Sequence, residues 1–191
     1  MKHYPIMIVG VGRSGTSVVA GILRQLGFFM GFEFMPAPKA NPLGCWEDKE
    51  LFELNMAFYN KQINLTQWFS GFVKFKEKRE KLDRPWGFKE PNLSLFIPYV
   101  IKAIPNIRFI YCKRNIDAIV RSFSKLQNWN YKRSYEVVRV RERLIEYYLR
   151  NIPHLTVQYE ELIKNKNKVV ETIFQYIYEP YKKEAINYIK S

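Results

Sequence analysis

Residues 10–17 read GVGRSGTS and follow the apolar run Ile6 to Val9. Glycines let a main chain come close to a phosphate. A helix beginning there would offer unpaired N–H groups and the positive end of its dipole. Thr16 and Ser17 add hydroxyl donors in the first turn, and Arg13 puts a cation inside the loop. These residue types suit an anionic ligand better than a turn that only joins a strand to a helix.

Two templates fit. Gly10, Gly12 and Gly15 have the GxGxxG spacing of dinucleotide loops, with Glu33 placed to hold a ribose. Gly10 and Gly15 also have phosphate-loop spacing, but Thr16 stands where the nucleoside-triphosphatase motif has lysine. A pyrophosphate loop has little use for Arg13 or for the Thr16-Ser17 pair. That favours a phosphate-binding loop whose cation has moved to Arg13.

Other candidates lie further on. Arg114 and Ser122 are separated by slightly more than two helical turns. They can share one anion if a helix starts near Asn115 and lies across the site; the plainer reading is a solvated basic helix start. Lys113 and Arg121 add positive potential. The run 107–112 does not end in aspartate, so it supplies no Walker-type magnesium ligand. Glu90 could stand in that role, which keeps a metal-dependent phosphotransferase in view. Glu47 and Asp48 either cap a helix or supply a general base. Lys89 closes a short apolar run. His3 and His154 read as structural or exposed. Cys45 and Cys112 make neither a disulfide framework nor a zinc-spaced cluster.

The elements that must position these residues follow from periodicity. Apolar runs at 6–9, 86–89, 107–112 and 154–158 read as strands. Val18, Val19, Ile22, Leu23 and Leu26 recur at helical spacing up to Gly27; 116–123 and 135–149 are amphipathic helices, and Pro91 opens another. Alternation of strands and helices predicts one α/β domain over 1–191, with a mostly parallel sheet of four or five strands covered on both faces. No glycine follows Gly87, so a tight phosphate cradle must lie in the first half. The aromatic and Met residues at 28–35 read as core more readily than as an acceptor pocket. The runs 74–84 and 164–168 read as solvated basic surface.

The 191 residues carry a formal net charge of +13. That favours an anionic ligand, a nucleic acid or a membrane surface without choosing among them. No RNA-recognition, zinc-finger or helix-turn-helix pattern is present, so no nucleic-acid partner is expected. No apolar stretch reaches the ~18 residues of a membrane span, and the first apolar run is too short for a signal peptide. The expected location is cytoplasmic.

GVGRSGTS resembles the 5′-phosphosulfate loop of sulfotransferases that use 3′-phosphoadenosine 5′-phosphosulfate, in the arginine form of protein-tyrosine and bacterial carbohydrate sulfotransferases. NPLGCWED at 41–48 is similar to the acceptor-side segment of bacterial members, and GFKEP at 87–91 to the lysine-bearing strand end. RFIYCKRNIDAIVRSF at 108–123 resembles the 3′-phosphate segment, and Tyr159-Glu160-Glu161-Leu162 a late YEDL-type stretch. The resemblance implies a phosphate-binding-loop sulfotransferase fold with that nucleotide as donor co-substrate and no metal. It implies that Gly12, Arg13, Ser14, Gly15, Thr16 and Ser17 hold the 5′-phosphosulfate, and Arg114 and Ser122 the 3′-phosphate. Glu47, favoured over Asp48, would be the base, with Arg13 and Lys89 as catalytic cations. The acceptor would offer a hydroxyl, less readily an amine, and a glycan is slightly ahead of lipid, peptide and small metabolite. The family's late glycine-containing nucleotide clamp is missing, and cations from 131–150 or 164–168 are the candidates to replace it. The rivals are a magnesium-dependent nucleotide kinase and a basic polyanion-binding module.

Overall fold

In a computed structural model, residues 4–36 and 44–190 are described, with side chains up to residue 178. His3 and the first three residues of the 41–48 segment lie outside them. Four parallel strands stand in the order β2-β1-β3-β4: β1 (Ile6–Val9), β2 (Gly87–Lys89), β3 (Arg108–Lys113) and β4 (His154–Gln158). Ile8 pairs with Lys89 on one side and Ile110 on the other, and Ile110 pairs with Leu155.

β1 and β2 are buried throughout and β3 along its middle, as a parallel sheet requires, while the edge strand β4 is partly exposed. Alternate residues of β1 therefore serve two cores. Met7 and Val9 face one layer with Phe88, Phe109 and Tyr111. This layer is closed by α2 (Lys49–Tyr59), α3 (Leu65–Glu80), α4 (Ile97–Ala103), α5 (Ile116–Gln127) and α6 (Tyr131–Leu149). Ile6 and Ile8 face the other with Ile110 and Cys112, under α1 (Thr16–Gln25), α7 (Tyr159–Lys164) and α8 (Lys166–Lys190). Among the described residues no helix is long and apolar enough to cross a membrane.

The chain winds from β1 outward to β2, then crosses to β3 and on to β4. The direction of winding reverses between β1 and β3, and the crevice at such a point is where open α/β sheets bind ligands. The loop 10–15, Lys89, Arg114 and Tyr159 all leave the carboxyl ends of the strands on that edge.

One expectation fails in detail. Within the basic run 74–84, Phe75 and Arg79 are wholly buried. Trp68, Phe72, Phe75 and Arg79 recur at helical spacing on the inner face of α3, so Arg79 follows the apolar stripe inward.

Candidate active site

The loop is shaped by two left-handed residues. Gly15 caps α1 at φ 97°, and a Cβ there would stand 2.5 Å from the Tyr159 ring. Arg13 adopts φ 76°, a conformation that costs a non-glycine residue roughly 1–2 kcal/mol. Two contacts from β3 and α5 hold it: Arg13 Nε donates to Ser122 Oγ at 2.9 Å, and Arg114 Nη1 donates to the Arg13 carbonyl at 3.0 Å. The Arg114 guanidinium also lies 4.4 Å from the centre of the Tyr159 ring. Asn115 caps α5 by accepting from Ala118 N, and its own N–H donates to Glu160. The helix thus starts where Arg114 and Ser122 can meet at the loop.

Glu47 and Asp48 are separated by the alternation of an extended segment. Met35 N donates to the Glu47 carbonyl and Lys49 N to the Glu33 carbonyl, both at 2.9 Å, so 33–35 and 47–49 run side by side. Asp48 turns inward, accepts from the N–H groups of Glu50 and Leu51 at the start of α2, and pairs with buried Arg79. Glu47 turns the other way and pairs with Lys89 Nζ at 2.6 Å. Lys89 is 2% exposed and Glu47 17%.

A cavity of about 390 Å³ opens over this edge, and Gly12, Arg13, Thr16, Ser17, Glu47 and Lys89 all border it. A Cβ on Gly12 would stand 3.9 Å from both Phe123 and Pro91. Of the loop residues expected at the ligand, Ser14 differs. Its side chain is buried, and its hydroxyl finds no hydrogen-bond partner. The cations and hydroxyls at this edge fit a doubly anionic nucleotide end.

Glu90 also borders the cavity. Asn55 Nδ2 donates to one of its oxygens at 2.6 Å, Asn92 Nδ2 to the other at 2.9 Å, and Trp68 Nε1 anchors Asn55 at 2.8 Å. Burial pushes the Glu90 carboxyl up to about 7, with neighbouring Glu47 adding to the rise. Among the described residues no three His, Cys, Asp or Glu side chains form a metal-holding group. Sequence reasoning missed Arg79 and Asn55; Arg141, which lines the same cavity, fell among the cations of 131–150 expected at the nucleotide without being singled out. For Arg79 and Asn55 the signal was helical register with buried neighbours; for Arg141 there was none.

The fold and this edge define an α/β protein of the phosphate-binding-loop class. The chain belongs to the sulfotransferase family, whose model matches residues 45–183; it is an enzyme family that transfers sulfuryl groups. Sulfotransferase STF1 from Mycobacterium tuberculosis H37Rv is similar in structure, with a TM-score of 0.63 at 14% identity over 93% of this chain and 68% of that one. So is the sulfotransferase domain of the Synechococcus PCC 7002 olefin synthase, with a TM-score of 0.60 at 18% identity over 93% and 74%. A gluconokinase from Sinorhizobium meliloti 1021 shares the fold as well, with a TM-score of 0.55 at 13% identity over 95% and 98%. No curated protein matches the sequence at a significant level.

Proposed function

We propose that the protein transfers the sulfuryl group of 3′-phosphoadenosine 5′-phosphosulfate to a hydroxyl of its acceptor, with Glu47 as general base. The observation that carries this reading is the convergence of Arg13, Lys89 and Glu47 on one cavity, with Lys89 and Glu47 2.6 Å apart. Thr16, Ser17 and the loop N–H groups would bind the 5′-phosphosulfate, while Arg114 and Ser122 would read the 3′-phosphate. Arg13 and Lys89 would meet the charge that builds on the leaving phosphate oxygen as its bond to sulfur breaks. The acceptor oxygen forms the new bond to sulfur, and its proton passes to Glu47. Asp48 is unsuited to the base role because its carboxylate is committed to Arg79 and the start of α2.

The test is transfer of labelled sulfuryl from the nucleotide to phenol and sugar acceptors in the presence of EDTA. Wild type should be active, since protein cations fill the charge-neutralising role here. Glu47→Gln should lose about 10²–10⁴ in rate while binding adenosine 3′,5′-bisphosphate as before. Full turnover by Glu47→Gln would remove Glu47 from the chemistry. Loss of sulfuryl transfer in EDTA, restored by Mg²⁺, would contradict the cation assignment, and Mg²⁺-dependent ATP turnover with no sulfuryl transfer would favour the phosphotransferase reading.

A further inference from the structure

We propose that Arg141 recognises a carboxylate on the acceptor, so that the substrate is a hydroxylated monocarboxylic acid; this rests on the sulfotransferase reading above. Five ionisable side chains border the cavity: Arg13, Glu47, Lys89, Glu90 and Arg141. Arg13 is bonded to Ser122, Lys89 and Glu47 hold each other, and Glu90 is held by Asn55 and Asn92. Arg141 is partly buried and makes no hydrogen bond or ion pair among the described residues. On the same helix Arg139 pairs with Glu142 at 2.8 Å and Glu146 with Lys113 at 2.7 Å, while Glu136 and Arg143, which have no such pair, are exposed away from the cavity lining.

A guanidinium at a cavity edge with no hydrogen-bonded protein partner is free to take a ligand anion. Trp129, Val137 and Phe123 border the cavity with Arg141 and give it an apolar wall, where a planar fork binds a carboxylate more strongly than in water. The donor's anionic groups belong at the loop and at Arg114 and Ser122, which attach to Arg13. Arg141 is near enough to Tyr59 to act on it electrostatically, and the Tyr59 hydroxyl donates to the Asn92 carbonyl. The Glu47 carboxylate in the cavity disfavours an acceptor with several negative charges. One carboxylate on a flat ring body suits the aromatic and aliphatic wall.

The experiment compares 4-hydroxyphenylacetate with 4-hydroxyphenylacetamide, which differ in that charge and share the acceptor phenol. Transfer is measured as kcat/KM with the donor nucleotide. Binding of each probe, up to about 10 mM, is measured by calorimetry on protein loaded with adenosine 3′,5′-bisphosphate, a range that reaches the weak end of ligand affinity. Wild type should favour the acid by about tenfold or more, as one charge-assisted pair provides. Arg141→Gln should lower use and binding of the acid to the level of the amide and leave the amide unchanged, while Arg141→Lys keeps part of the preference. Affinity for adenosine 3′,5′-bisphosphate should be the same in all three proteins. Equal use of the two probes by wild type, binding of neither, or weakened nucleotide affinity in Arg141→Gln would each overturn the assignment. Failure of wild type to bind adenosine 3′,5′-bisphosphate at all would instead fall on the sulfotransferase reading and take this assignment with it.

Discussion

Glu90 is a buried carboxyl held by two amides rather than by a cation of its own, since Lys89 is engaged with Glu47. Its carboxyl sits at about 7 in the folded protein, above the ordinary 4.5, because burial disfavours the charge. Between those values the folded chain holds a proton that the unfolded chain has released. The resulting stabilisation is complete below pH 4.5 and is lost as pH rises through about 7. Glu90→Gln keeps a neutral group there; Asn55 is fixed by Trp68, so Asn92 must turn its amide to match. Unfolding free energies from urea titration should fall for wild type between pH 4.5 and 8 by an amount on the order of 3 kcal/mol, and Glu90→Gln should flatten that fall. Parallel profiles for the two proteins would show that Glu90 does not titrate in this window.

Individual elements place the acids. Helix α2 begins at Asp48, which satisfies two of the orphan N–H groups every helix start leaves open. The same carboxylate neutralises Arg79, which lies 3.3 Å from the centre of the Phe75 ring and also donates to the Phe75 carbonyl at 2.8 Å. This pair ties α3 to α2 and fixes the extended segment from which Glu47 projects. Removing one partner leaves a buried charge unmatched. Arg79→Ala should therefore cost about 3–5 kcal/mol in chemical denaturation. Arg79→Met with Asp48→Asn should be substantially more stable than Arg79→Ala, because the unmatched charge is gone and asparagine still caps. A loss below about 1 kcal/mol for Arg79→Ala would mean that the pair is solvated in solution.

Across the molecule, the elements were legible wherever a period was strong. β4 spans His154–Gln158 as read, and α5 begins at Ile116, within one residue of the expected start. The loop 10–17 was legible as a strand-to-helix turn, from the apolar run before it and the glycines within it. The choice between Glu47 and Asp48 was not legible, because adjacent acids differ only through the direction each side chain takes in the folded segment. Arg79 was hidden by the lysines around it, which share its charge but not its face of α3. Arg141 was hidden because only the approach of α6 to the loop edge brings it to a cavity.

The fold is shared by sulfotransferases and a gluconokinase, so the nucleotide decides between the chemistries. The most direct measurement is calorimetric titration of the wild-type protein with adenosine 3′,5′-bisphosphate and with ADP. Arg114 and Ser122 meet Arg13 at the loop, and a charge-assisted contact to a 3′-phosphate contributes roughly 1.5–3 kcal/mol. The bisphosphate should bind about 10- to 150-fold more tightly than ADP, and Arg114→Ala should remove most of that difference. Equal affinity of the wild type for the two nucleotides, or tighter binding of ADP, would contradict the assignment.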